Sequence, residues 1–206
     1  MKKLALFFAL LALLFAGDYS GFMKLHKGAW AKYIVYTSEG PMELINKYLG
    51  TVTYKGKKVN VVETVMRAHG VESVTQYWSA VDNDAVIRKI VSLTPQGLFC
   101  MEEEMIGISG MYDEAPYHTK TPKEYSPTKD IKIVTYKLKN GKTIKAALFK
   151  TEKGEVLVSS EVPFGIVLVK ENGKKVMELV DFGDGAKPLI PIEKAKSCGA
   201  LALPPL

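Results

Sequence analysis

Two Asn-Gly dipeptides, Asn140-Gly141 and Asn172-Gly173, each stand between runs of apolar and β-branched residues. The central positions of a tight two-residue hairpin turn need positive φ, which Asn and Gly tolerate best. Each dipeptide therefore closes an antiparallel hairpin, within "IKIVTYKLKNGKTIKAALFK" and "EVPFGIVLVKENGKKVMELVDFG". With a Lys153-Gly154 turn between them, the C-terminal half reads as a sequential antiparallel meander. The second hairpin adds a stricter demand. Ile166, Val167, Leu168 and Val169 are apolar at every position, whereas a strand with one face in water alternates. Such a run needs cover on both faces, or it leaves a patch that invites association. A two-sheet sandwich, a closed barrel, or a strongly curved sheet wrapped over a helix or lid supplies that cover. "VVETV" from Val61 to Val65 repeats the demand more weakly. Simple alternation puts Ile166 and Leu168 on one face, Val167 and Val169 on the other. One set would form plain core. The other would face a concavity covered by part of the 102–130 loop or by the C-terminal tail.

The N-terminal half is also strand-like. In "AWAKYIVYTS", Trp30, Lys32, Ile34 and Tyr36 share one face, and Ala31, Tyr33 and Val35 the other. "TVTYKGKKVNVVETVMRA" is a hairpin about Lys55-Gly56-Lys57, and "ESVTQYWSAV" and "GLFCME" follow as strands. "PMELINKYLG" and "AVIRKIVSL" fit either a short helix or a strand. From Glu102 to Asp130 the period fails and Pro116, Pro122 and Pro127 interrupt the chain, which reads as a long loop. The fold class is thus mainly β (β-rich α+β). The expected architecture is a strongly curved antiparallel sheet, half-barrel or barrel-like, with few short helices, in one domain over residues 28–206.

The chain opens "MKKLALFFALLALLFAG": two lysines, an apolar run and a small-residue exit. The apolar run is too short for the ~20 residues of a membrane helix and matches a secretory signal over residues 1–17. No later stretch is long and apolar enough to span, so the mature chain is expected to carry no transmembrane helix and to reside in the periplasm, with secretion or an uncleaved N-terminal anchor as the alternatives. Formal net charge is +6. The lysine surplus gathers in turns such as "YKGKK", "KNGK" and "ENGKK". Charged turns are solvated edges first, with weak attraction to anionic headgroups or wall polymers as their functional reading. Outside the cytoplasm no nucleic-acid partner is expected. Cys100 and Cys198 are the two cysteines. An even count in an exported chain invites a disulfide, while a buried thiol and a free tail thiol is the alternative.

Patterns for chemistry are sparse. "GISGM" sets its glycines one place too close for a nucleophile elbow about Ser109. His26, His69 and His118 have no second histidine at metal-ligand spacing. Met101, Met105, Met111 and His118 lie among Glu102, Glu103, Glu104, Asp113 and Glu114, a mixture that serves plain lid segments more often than copper. Glu161 and Glu178 would face each other only if the strands brought them together; otherwise alternation leaves them exposed. No cofactor, no metal and no catalysis are expected.

"GAWAKYIVYTSEG", "EVLVSSEVPFGIVLV" and "MELVDFG" resemble the opening and closing strands of certain uncharacterised exported bacterial proteins. That layout is similar to the lipoprotein-carrier (LolA-like) superfamily, and the resemblance implies a curved antiparallel sheet closed by helices over an apolar cavity. The resulting expectation is a periplasmic binding, carrier or sensor module for a lipid or acyl chain. Trp30, Ile166, Val167, Leu168 and Val169 would line its concave surface. The alternative is an envelope structural or interaction protein with a filled core, no ligand and a protein partner.

Overall fold

A computed structural model describes residues 25–84, 86–94, 97–108, 132–151 and 154–198. The expected signal segment, the rest of the expected loop from residue 109 on, and the apolar end of the tail lie outside the described residues.

The strands are β1 (Trp30–Thr37), β2 (Gly40–Tyr54), β3 (Lys57–Ala68), β4 (Val71–Ala80), β5 (Ile87–Thr94) and β6 (Gly97–Glu102), then β7 (Lys132–Lys137), β8 (Thr143–Thr151), β9 (Gly154–Val158), β10 (Ile166–Glu171) and β11 (Lys174–Gly183). Two short helices are described, α1 (Glu103–Ile108) after β6 and α2 (Ile192–Ser197) in the tail. The opening of the expected 102–130 loop is thus the end of β6 followed by α1. Both ambiguous stretches are strands, residues 41–50 within β2 and 87–93 within β5. Pairing on two sides lets a long strand override a marginal helical period.

All the strands join one 11-stranded antiparallel sheet, ordered β6-β5-β4-β3-β2-β1-β11-β10-β9-β8-β7. Each half is a meander, and β1 pairs β11 to join them. The sheet ends at β6 and β7, and the alternation along it makes these two strands run in the same direction.

The mainly β expectation holds, and the sheet is open and curved. Tyr136 on β7 donates to Glu178 on β11 at 3.0 Å, although β8, β9 and β10 lie between them along the sheet. Four flat strand spacings would hold them roughly 19 Å apart. The C-terminal half is therefore rolled, and the turn at Asn140 closes on the same strand: Asn140 Nδ2 and Lys142 Nζ reach Asp181 Oδ1 at 2.7 and 2.8 Å.

Two cores occupy opposite faces of the sheet and share β2 and β3. Leu44 and Val62, with Met42, Tyr48 and Met66, belong to the first core, beside Tyr33, Phe164 and the β10 residues. Leu49, Val59, Val61 and Val65, with Ile45, belong to the second, beside Trp78, Val91 and Cys100. That explains why Val61 to Val65 is buried throughout: odd positions face one core and even positions the other. The tail after β11 crosses the second core and buries Ile190 and Ala195 there. Among the described residues no helix is long and apolar enough to cross a membrane.

Candidate functional site

Ile166, Val167, Leu168 and Val169 are all buried, Val167 completely. They sit together in the first core with Val162 and Phe164 of the Pro163 corner and with Leu138 from the start of the β7–β8 turn. The corner folds tightly, with Ser159 N donating to Gly165 O at 2.7 Å and Phe164 held at φ 65°. The rolled sheet and this corner furnish the cover. The tail lies on the other core.

Alternation within the run is broken. Ile166 pairs with Val158, Leu168 with Leu157, and Val169 with Val156. Val158 and Leu157 are neighbours on β9 and point to opposite faces, so Ile166 and Leu168 do too. A β-bulge at Val167 inserts the extra residue. Ile166 therefore shares a face with Val169. Trp30 stands apart from this group and belongs to neither core. Its Nε1 donates to Asp184 O at 3.2 Å, and its ring lies where a side chain at Gly183 would be.

Glu161 and Glu178 do not form a pair. Glu161 lies in the corner and accepts from the backbone N–H of Lys145 at 3.0 Å. Glu178, which alternation alone would expose, is buried because the roll lays Tyr136 over it. It also accepts from Tyr36 at 3.0 Å and Lys175 at 2.7 Å, and Lys139 stands 3.4 Å away. Burial pushes its carboxyl up, but the bonds from Lys175, Tyr36 and Tyr136 more than offset this and hold it at about 2. Burial first, and then Glu178, pushes the Tyr136 hydroxyl well above its usual range. A carboxylate held by these donors is a fixed anion and not a general acid near neutral pH.

That anion makes the roll acid-sensitive. The folded value lies below the unfolded value of ~4.3, so its contribution is present above that value and lost as pH falls from about 4.5 towards 2. The loss is on the order of 3 kcal/mol. Urea denaturation at stepped pH is expected to show this decline, and Glu178→Gln should flatten it while lowering stability at pH 7. An unchanged acid limb in the variant would refute the assignment.

The richest polar constellation lies in the second core and holds the tail. Glu63 is fully buried. Its carboxylate accepts from Leu189 N at 3.0 Å, Ile190 N at 3.1 Å, Gln76 Nε2 at 3.0 Å and Lys47 Nζ at 2.8 Å. Gln76 also donates to Ile190 O at 2.7 Å, and its Oε1 accepts from Trp78 Nε1. Further along the tail, buried Lys89 donates to Cys198 O at 2.7 Å and Lys196 O at 3.3 Å. Glu102 lies 3.0 Å from the Lys89 ammonium and accepts from Tyr54 at 2.5 Å. Burial raises the Glu102 carboxyl, yet Tyr54, Lys89 and Lys55 together hold it below the usual range. Cys100 on β6 is disulfide-bonded to Cys198. Residues 187–198 thus form a strap, tied by an anion at one end and by a cation and a disulfide at the other. These groups are saturated by the chain itself, which leaves none of them a vacant partner for a substrate. Sequence reasoning missed Glu63 and Lys89, although Glu63 alternates with Val61 and Val65, and Lys89 with Ile87 and Val91, along their strands.

Of the Met-rich segment, Met101 lies on β6 and Met105 on α1; Met111 and His118 lie outside the described residues. Among the described residues no three His, Cys, Asp or Glu side chains converge as metal ligands. No protein-family model matches the chain, and no curated protein is significantly similar to it.

Proposed function

We propose that the protein is an exported, periplasmic envelope module that works through its exterior and not through a cavity or a reaction. The observation that carries this reading is the burial of Ile166 to Val169 by the chain's own side chains. The strap fills the other face in the same manner, with Ile190 and Ala195 in place. The disulfide supports an oxidising compartment. Among the described residues the polar clusters hold the fold, which favours binding, with a component of the envelope as partner.

A second reading rests on Tyr33. This side chain is fully buried in the first core, and its hydroxyl has no partner among the described residues. Buried hydroxyls ordinarily find one. Carriage of a lipid or acyl chain, as the carrier resemblance implies, would give that hydroxyl a polar head to bind.

Mass spectrometry of gently purified protein separates the two. The filled core predicts no stoichiometric lipid, and it predicts that Tyr33→Phe raises stability by about 1 kcal/mol by removing an unsatisfied group. A co-purified acyl chain that Tyr33→Phe releases would reverse the choice.

A further inference from the structure

We propose that the β7–β8 hairpin at one end of the sheet is a docking surface for an anionic phospholipid bilayer. The inference rests on the reading that the protein acts through its exterior, and it names the partner. From 132 to 151 the chain carries Lys132, Lys137, Lys139, Lys142, Lys145 and Lys150 and no acidic residue. Lys139, Lys142 and Lys150 are spent on Glu178, Asp181 and Glu155. Lys132, Lys137 and Lys145 are exposed and have no carboxylate partner among the described residues. Glu161, beside Lys145, is engaged by the Lys145 backbone.

Register places the decisive groups together. Ile133 pairs with Ala147, Thr135 with Lys145, and Lys137 with Thr143, so Ile133, Lys137 and Lys145 share one face. Ile133 is 61% exposed, more than the other large apolar side chains of the described residues. An isoleucine projecting among hydrated cations suits the boundary between headgroups and acyl chains. The chemistry disfavours a protein partner. Lysine is depleted in dry interface cores. Recognition of a fixed carboxylate favours the planar fork of arginine, which the hairpin lacks. Diffuse headgroup phosphates need only point charges. Another basic turn, at Lys55 to Lys58, contrasts with this one: Glu102 pairs with Lys55 at 3.1 Å, and Lys57 helps to hold down the Glu103 carboxyl.

The test is co-sedimentation of the full chain, recovered as the cell processes it, with vesicles of phosphatidylglycerol in phosphatidylcholine. Binding is expected at low salt, with little to phosphatidylcholine alone. The double variant Lys137→Gln, Lys145→Gln should lose about thirtyfold in partition coefficient. Ile133→Ser should lose a further several-fold. A control double, Lys57→Gln, Lys58→Gln, removes the same charge elsewhere and should retain most of the binding. The substituted side chains are exposed, and unchanged melting will show that each variant folds. Equal loss in the two double variants, or no binding to anionic vesicles, overturns the proposal. So does full competition by soluble polyphosphate with Ile133→Ser inert, which would assign the surface to a polymer. None of these results touches the filled-core reading, which falls only to a co-purified lipid.

Discussion

Reduction of the Cys100–Cys198 disulfide is expected to lower the stability of the protein by about 4 kcal/mol. The two cysteines are 98 residues apart, and closing so long a loop removes much of the unfolded chain's freedom in the chain-entropy account. The bond also holds the far end of the strap against β6, where Lys89 meets the carbonyls of Lys196 and Cys198. For a chain of this size the melting temperature should fall by roughly 8–16 °C. Denaturant unfolding with and without a dithiol reductant measures the effect, with Cys100→Ala, Cys198→Ala as the reagent-free comparison. A midpoint indifferent to reduction would mean that the strap is held by its polar anchors alone.

Replacing Glu63 by leucine should cost about 3–5 kcal/mol, the range seen when one member of a buried ionic group is removed. The carboxylate serves two backbone N–H groups of the strap, one side-chain amide and the Lys47 ammonium. Leucine fills the volume but leaves the two strap N–H groups without an acceptor and the Lys47 ammonium without its counter-charge. A double-mutant cycle with Lys47→Met should recover part of the loss, because Lys47 then no longer strands a charge. Hydrogen exchange at Leu189 and Ile190 would localise the damage, since those amides should open first. A cost under 1 kcal/mol, with the two amides still protected, would show that Glu63 is incidental to the strap.

Much of this architecture was legible in the residues. The chain turns at both dipeptides, and the C-terminal half is a sequential meander. Asn172 and Gly173 are both at positive φ as expected, but only Gly141 of the first pair is, where the turn is longer. The unbroken run from Ile166 to Val169 required double cover and has it. What covers it was not legible, because the roll that brings Tyr136 to Glu178 depends on twist accumulated over several strands and not on any local signal. The bulge at Val167 was equally hidden, since one inserted residue leaves no mark in a run that is apolar throughout. Glu63 and Lys89 were missed because nothing local names the strap backbone groups that they hold, more than a hundred residues away. Side-chain chemistry names a buried charge; only the path of the chain names what satisfies it.

The pairing of β1 with β11 also sets an order of events. Each half can form from neighbouring hairpins, which close quickly because their contacts are local. The seam between the halves needs the first strand and the last, and the strap and Cys198 come later still. A chain made from its N-terminus therefore holds β1 with one edge unpaired until almost all of it has emerged. Throughout that interval the exposed edge is open to a wrong partner. A chaperone that masks an extended strand edge would shorten the hazard, and refolding yield should depend on chain concentration far more steeply than the native protein's solubility does.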